Sequence, residues 1–125
     1  MLIAALGTVA YWLVYFTTGD TQVRVDEVYL AFENAFPLAD GWMALCFLFA
    51  AYFLWRGDRR ALFWGLCAGS AMIFLGCMDL LFNIEQGHFR APMSAQMWAE
   101  TVIVGFCLSF GPFTLWRLWR QALSS

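Results

Sequence analysis

The sequence predicts an all-α integral membrane protein, a four-transmembrane-helix antiparallel bundle with a short amphipathic interfacial helix between spans one and two, in a single domain covering residues 1–125. Three observations carry this expectation. With 62 % hydrophobic and 13 % charged residues, the chain has too little polar surface for a soluble globule, in which about a quarter of residues are charged. Four apolar stretches, residues 2–18, 38–55, 61–82 and 97–116, come close to the ~20 residues that a membrane-crossing helix needs. Finally, the arginines and the acids separate: Arg56, Arg59, Arg60, Arg117 and Arg120 follow the second or fourth stretch, and only Asp58 among the nine acids lies with them.

The stretches are continuous, as in MALCFLFAAYFLW, and lack the apolar/polar alternation of a membrane β-barrel. Lipid offers the backbone no hydrogen-bond partners, so such runs close their bonds internally as helices. Span one has no basic leader before Leu2, and the pattern predicts an uncleaved first span. Between spans one and two, residues 19–36 place Val25, Val28, Tyr29, Phe32 and Phe36 at helical spacing, which predicts a helix lying along the outer surface. Pro37 then either kinks the chain into span two or opens a new helix.

The short Arg56–Arg60 connection predicts that spans two and three are antiparallel neighbours. After span three, Gly87 is the expected helix stop, Pro92 precedes the next start, and Ser94 is the expected N-cap. Gly111-Pro112 is expected to kink span four. Trp55, Trp64, Trp116 and Trp119 lie beside the arginines, and Trp42 and Trp98 beside the acids, which predicts two interfacial belts.

Basic residues mark the cytoplasmic side. Five of the seven arginines lie on one side of the threading against Arg24 and Arg90 on the other, so the Arg56–Arg60 loop and both ends of the chain are expected inside. Arginine to the exclusion of lysine, with much alanine, glycine and tryptophan, suggests a bacterial cytoplasmic membrane. A formal net charge of −2 argues against nucleic acid as a partner. Membrane lipid, a second copy of the chain or a larger membrane complex are the partners expected.

Gly65, Gly69, Met72, Gly76, Asp79 and Asn83 recur at intervals of 4, 3, 4, 3 and 4 and share one face of span three. Small residues at such spacing let helix backbones approach where lipid gives no hydrophobic drive for association, so Gly65, Gly69 and Gly76 are expected packing positions. Spans two and four repeat the spacing with Asp40, Ala44, Phe47, Ala51, Leu54 and with Glu100, Val104, Cys107, Gly111, Thr114. Each seam has its acid near the outer end. At ~1.5 Å per residue, Asp40, Asp79 and Glu100 fall at similar depth, with Glu33, Asn83 and His88 close by.

Asp40 and Glu100 sit in first turns, where the helix dipole alone favours a carboxylate. Asp79 is near a C-terminal end, where the dipole opposes it, so an inward partner is expected. The sole histidine and the absence of CxxC or HxxxH spacing predict no metal centre. Cys46, Cys67, Cys77 and Cys107 are too far apart in sequence for a paired redox motif and read as small core residues. No nucleotide, phosphate or hydrolase motif is present, and no cofactor is expected.

Three functions fit these residues. The first is binding or conduction of a small cation, proton or cationic amphiphile at the outer carboxylates. The second is an accessory subunit of a membrane complex. The third is a lipid-modifying enzyme using carboxylate acid/base chemistry, with His88 as a possible partner.

Overall fold

The computed structural model describes residues 1–18, 27–87, 89 and 94–123. Its elements are all α-helices: α1 Leu2–Thr17, α2 Glu27–Glu33, α3 Phe36–Trp55, α4 Arg60–Glu85 and α5 Ala95–Leu123. Three helical segments, Glu27–Trp55, Arg60–Glu85 and Ala95–Leu123, are long and apolar enough to cross a membrane. The first combines α2 and α3. α1 is apolar but only 16 residues long, about 24 Å at ~1.5 Å per residue, short of the ~30 Å hydrocarbon thickness.

Local chemistry sets the boundaries. Pro37 lacks an N–H and its ring crowds the carbonyl four residues back, which is that of Glu33. α2 ends at Glu33 and α3 opens three residues later, with Pro37 in its first turn. α3 closes in a Schellman turn: Gly57 has φ +67°, its N–H donates to the Leu54 carbonyl at 3.0 Å, and the Asp58 N–H to that of Phe53 at 2.9 Å. Glycine takes this left-handed position without the steric penalty of a Cβ. Gly87, φ +69°, ends α4 likewise, and the Ser94 hydroxyl caps α5 by accepting from the Met97 N–H at 3.1 Å.

Asp58, the one acid among the arginines, is explained by its contacts. Its carboxylate accepts the Arg60 backbone N–H at 2.9 Å and pairs with the Arg60 guanidinium at 2.7 Å. It closes an Asx turn just before α4 and offsets a neighbouring positive charge. The hydrogen bonds from Arg60 hold its carboxyl below the usual carboxylate range.

Helices pack in the order α1 on α3, α3 on α4 and α4 on α5. α4 and α5 run antiparallel in one register, since Cβ atoms built on Gly65, Gly69 and Gly76 would meet Leu118, Leu115 and Cys107 respectively. A Cβ on Gly69 would also lie 3.2 Å from the Gly111 carbonyl oxygen, and one on Gly111 3.1 Å from the Gly69 oxygen. The two glycines form the closest backbone crossing of the pair, and the expected seam of span four, from Glu100 to Thr114, is buried throughout. α5 continues through Pro112. At the arginine end, Met1 lies with Leu54, Arg117, Leu118 and Gln121.

Several expectations change. The helix expected over 19–36 is described only from Glu27; Val25 and Arg24 fall outside the described residues, as do Arg90, Pro92 and Ser125. Part of its apolar face is turned into the protein: Tyr29 is buried while Val28 stays exposed, and Phe32 stacks on Phe82 of α4 with ring centroids 3.8 Å apart. The two-belt reading fails for one pair, because the rings of Trp42 and Trp64 approach to 6.2 Å. Cys46 and Cys107 are core residues as expected, but Cys77 is exposed and Cys67 half-buried. The seam of span two drifts, so that Leu54 is exposed while Cys46 and Ala50 are fully buried.

Candidate functional site

At the end opposite the arginines, three helices each bring one carboxylate to a common point. Glu33 is the last residue of α2, Asp79 lies six residues before the end of α4, and Glu100 is six residues into α5. One oxygen from each lies within 4.8 Å of the others. Glu33 and Glu100 are buried, at 5 % and 8 % exposure; Asp79 is half-buried. Pro37 contributes indirectly, because the break it forces puts Glu33 at a helix end beside α4 and α5.

The cluster forms one end of a cavity of about 370 Å³ between α1, α3, α4 and α5. Asn83, fully buried on α4, donates through Nδ2 to Glu100 Oε1 at 2.6 Å. Glu33 holds a hydrogen bond from the Tyr29 side chain. Asp40 lines the same cavity, but its Oδ2 accepts the Trp12 indole N–H at 2.7 Å. The remaining walls are apolar, with Phe36, Met43, Met72, Leu75 and Phe106 among them, and no basic side chain is among the described lining residues.

The set expected from depth alone, Asp40, Asp79 and Glu100, is therefore rearranged. Glu33 takes the place of Asp40 in the close cluster, Asp40 stands beside it on its indole partner, and Asn83 positions Glu100. His88 lies outside the described residues. The spacing of the sequence held no metal pattern, yet three carboxylate oxygens drawn from distant segments form a group that could hold a metal ion. α1, expected only as a span, also contributes to the site. Its Tyr11 and Trp12 line the cavity. The signal available was an aromatic run with polar atoms, Tyr11, Trp12 and Tyr15, near the end of an otherwise apolar segment.

Chemically, the arrangement offers hard oxygen ligands in a poorly hydrated place. Three negative charges at these separations, away from water, require compensation by protons or by a cation, because buried like charges are costly unless paired. Oxygen-only ligation suits hard cations and ammonium groups, not soft metals. Two of the three residues are already oriented by donors, so the cluster is held before any ligand arrives. No protein-family model, curated protein or solved structure matches this chain.

Proposed function

We propose that this chain is an integral membrane protein of a bacterial cytoplasmic membrane that binds a positively charged ligand at Glu33, Asp79 and Glu100. Four helices cross the bilayer in an antiparallel bundle, and the Arg56–Arg60 loop and both ends of the chain face the cytoplasm. The arginine distribution supports that orientation, and so does the position of Met1 beside Arg117 and Gln121. α1, shorter than a usual span, crosses with local thinning of the bilayer along its own flank. The carboxylates then open toward the outer side.

The observation that carries the reading is the meeting of three carboxylate oxygens within 4.8 Å on a cavity whose described lining includes no basic group. A merely structural acid is expected to find one donor and stop there. Here Glu100 and Glu33 each have one donor, from Asn83 and Tyr29, and still converge with Asp79 on one place.

The test is thermal unfolding of the purified chain in neutral detergent across a series of metal and ammonium cations. A ligand that binds only the folded state raises its stability as RT ln(1 + [L]/Kd). Stabilisation by a cation is expected in the parent chain and expected to vanish in Glu33→Gln, Asp79→Asn and Glu100→Gln. Persistence of the full effect in the triple variant would rule the site out.

A further inference from the structure

We propose that the ligand is an alkylammonium amphiphile whose charged head sits among the carboxylates while its single hydrocarbon chain lies in the apolar part of the cavity, having entered sideways between α1 and α5. This rests on the cation-binding reading above and names the class of cation.

The first argument is from volume and lining. The share of liquid volume per water is ~30 Å³, so a cavity of about 370 Å³ corresponds to roughly a dozen waters. Apolar cavities do not hold such a cluster, because each water needs two to four polar partners. Besides the carboxylates, Tyr11 and Trp12, the polar side chain in the lining is Thr8, whose hydroxyl donates to the Ala4 carbonyl at 3.0 Å. A metal ion would fill a small fraction of the space and would find no oxygen on the walls made by Met72, Leu75 and Phe106. A volume of this size falls within the ~300–1,000 Å³ range of organic-ligand pockets.

The second argument is from the opening. α1 packs on α3, and α5 on α4, leaving the cavity between the free flanks of α1 and α5. Ile3 and Val102, which line it, are also 85 % and 66 % exposed on the outside of the protein. Gly7, in the same wall, is the narrowest part of α1, and a Cβ built on it meets nothing within 4 Å. In a bilayer this flank faces hydrocarbon, so a chain reaches the cavity without crossing water.

The third argument is charge and ring complementarity at the closed end. Tyr11 and Trp12 line the cavity beside the carboxylates, and aromatic faces next to anions are the chemistry that holds alkylated ammonium groups. A neutral lipid would leave the carboxylates to be neutralised by protons alone. A cationic head compensates them.

The experiment is equilibrium binding to the full chain in a neutral glycoside detergent with three probes: decyltrimethylammonium, tetramethylammonium as the head alone, and calcium as an inorganic cation. Decyltrimethylammonium is expected to bind at least about tenfold more tightly than tetramethylammonium. Gly7→Leu, which narrows the side opening, is expected to weaken the amphiphile by about tenfold and leave tetramethylammonium unchanged; Gly105→Leu, whose Cβ also meets open space but which is not a lining residue, is expected to do neither. Helix content and melting are followed in each variant, and Val102→Trp replaces Gly7→Leu if the latter does not fold. Equal binding of head and amphiphile, an unaffected amphiphile in the folded opening variant, or tight calcium binding that excludes the amphiphile would overturn the alkylammonium proposal while leaving the cation site standing. Binding of no probe, or binding indifferent to Glu33→Gln and Asp79→Asn, would overturn both.

Discussion

Asn83 and Glu100 are the two ends of a buried hydrogen bond, 2.6 Å from amide to carboxylate, that ties α4 to α5 at the acidic end as Gly69 and Gly111 do farther along. The bond points the Glu100 side chain inward and commits one of its oxygens. The same carboxylate belongs to the cluster with Glu33 and Asp79.

Replacing that donor is expected to be costly. Asn83→Leu leaves a buried carboxylate oxygen without its partner, a loss of ~1–3 kcal/mol, whereas Leu81→Ala on the exposed flank of α4 should change little. Thermal unfolding in detergent compares the two, and equal losses would show that the Asn83 bond contributes nothing.

The α4–α5 crossing makes a second prediction. Gly69→Leu and Gly111→Ala put atoms where the partner backbone already lies within about 3.2 Å of an added Cβ, and overpacking of this kind costs ~1–3 kcal/mol. Cys77→Leu, on an exposed face, is expected to be close to neutral and is a cleaner control than half-buried Cys67. If the melting temperatures of all three fall together, the glycine contact is not what sets the spacing.

Trp12 and Asp40 give a third. Trp12→Phe keeps a ring but removes the indole N–H that Asp40 accepts at 2.7 Å, and hydrogen bonds to charged groups are worth ~1.5–3 kcal/mol. Trp98→Phe, 59 % exposed, is expected to be mild. A Trp12 variant as stable as the Trp98 variant means that Asp40 finds water instead.

Orientation is open to direct labelling. In a cysteine-free background, Asp58→Cys is expected to react with a membrane-impermeant thiol reagent only after the cells are opened, and Glu27→Cys in intact cells. The reverse pattern would invert the threading.

Asp58 has a modest pH signature of known sign. Its carboxyl is held below its ordinary value by Arg60, so the pair stabilises the fold above the unfolded carboxylate value of ~3.9. That stability is lost as pH falls through the lower folded value. Asp58→Asn keeps an oxygen that can accept the Arg60 N–H but loses the charge, and its acid unfolding limb is expected to be slightly flatter than that of the parent. An identical limb places the acid sensitivity elsewhere.

Much of the helical plan was legible because it depends on local properties. Apolar runs, Gly87, Ser94 and the spacing of Gly65, Gly69 and Gly76 act within a few residues or along one helix face, and those patterns are written along the chain. The seam of α5 from Glu100 to Thr114 was equally readable. Span one was less so: its apolar character is evident, but only the folded length of α1 separates it from the three membrane-length segments.

The sequence by itself determined the helical class, the apolar faces, the separation of arginine from acid and the identity of the acids near one end. Tertiary structure decided which of those acids meet. Depth along a helix is additive in residue number, so Asp40, Asp79 and Glu100 could be placed at one level. Rotation about each helix and the angle between helices depend on contacts made at a distance. The break that Pro37 forces after Glu33, the capture of Asp40 by Trp12 from α1 and the α4–α5 register set by two glycines together exchange Asp40 for Glu33 at the cluster. None of these contacts lies within one element, and their result is a cavity whose polar end and apolar walls come from five separate segments of the chain.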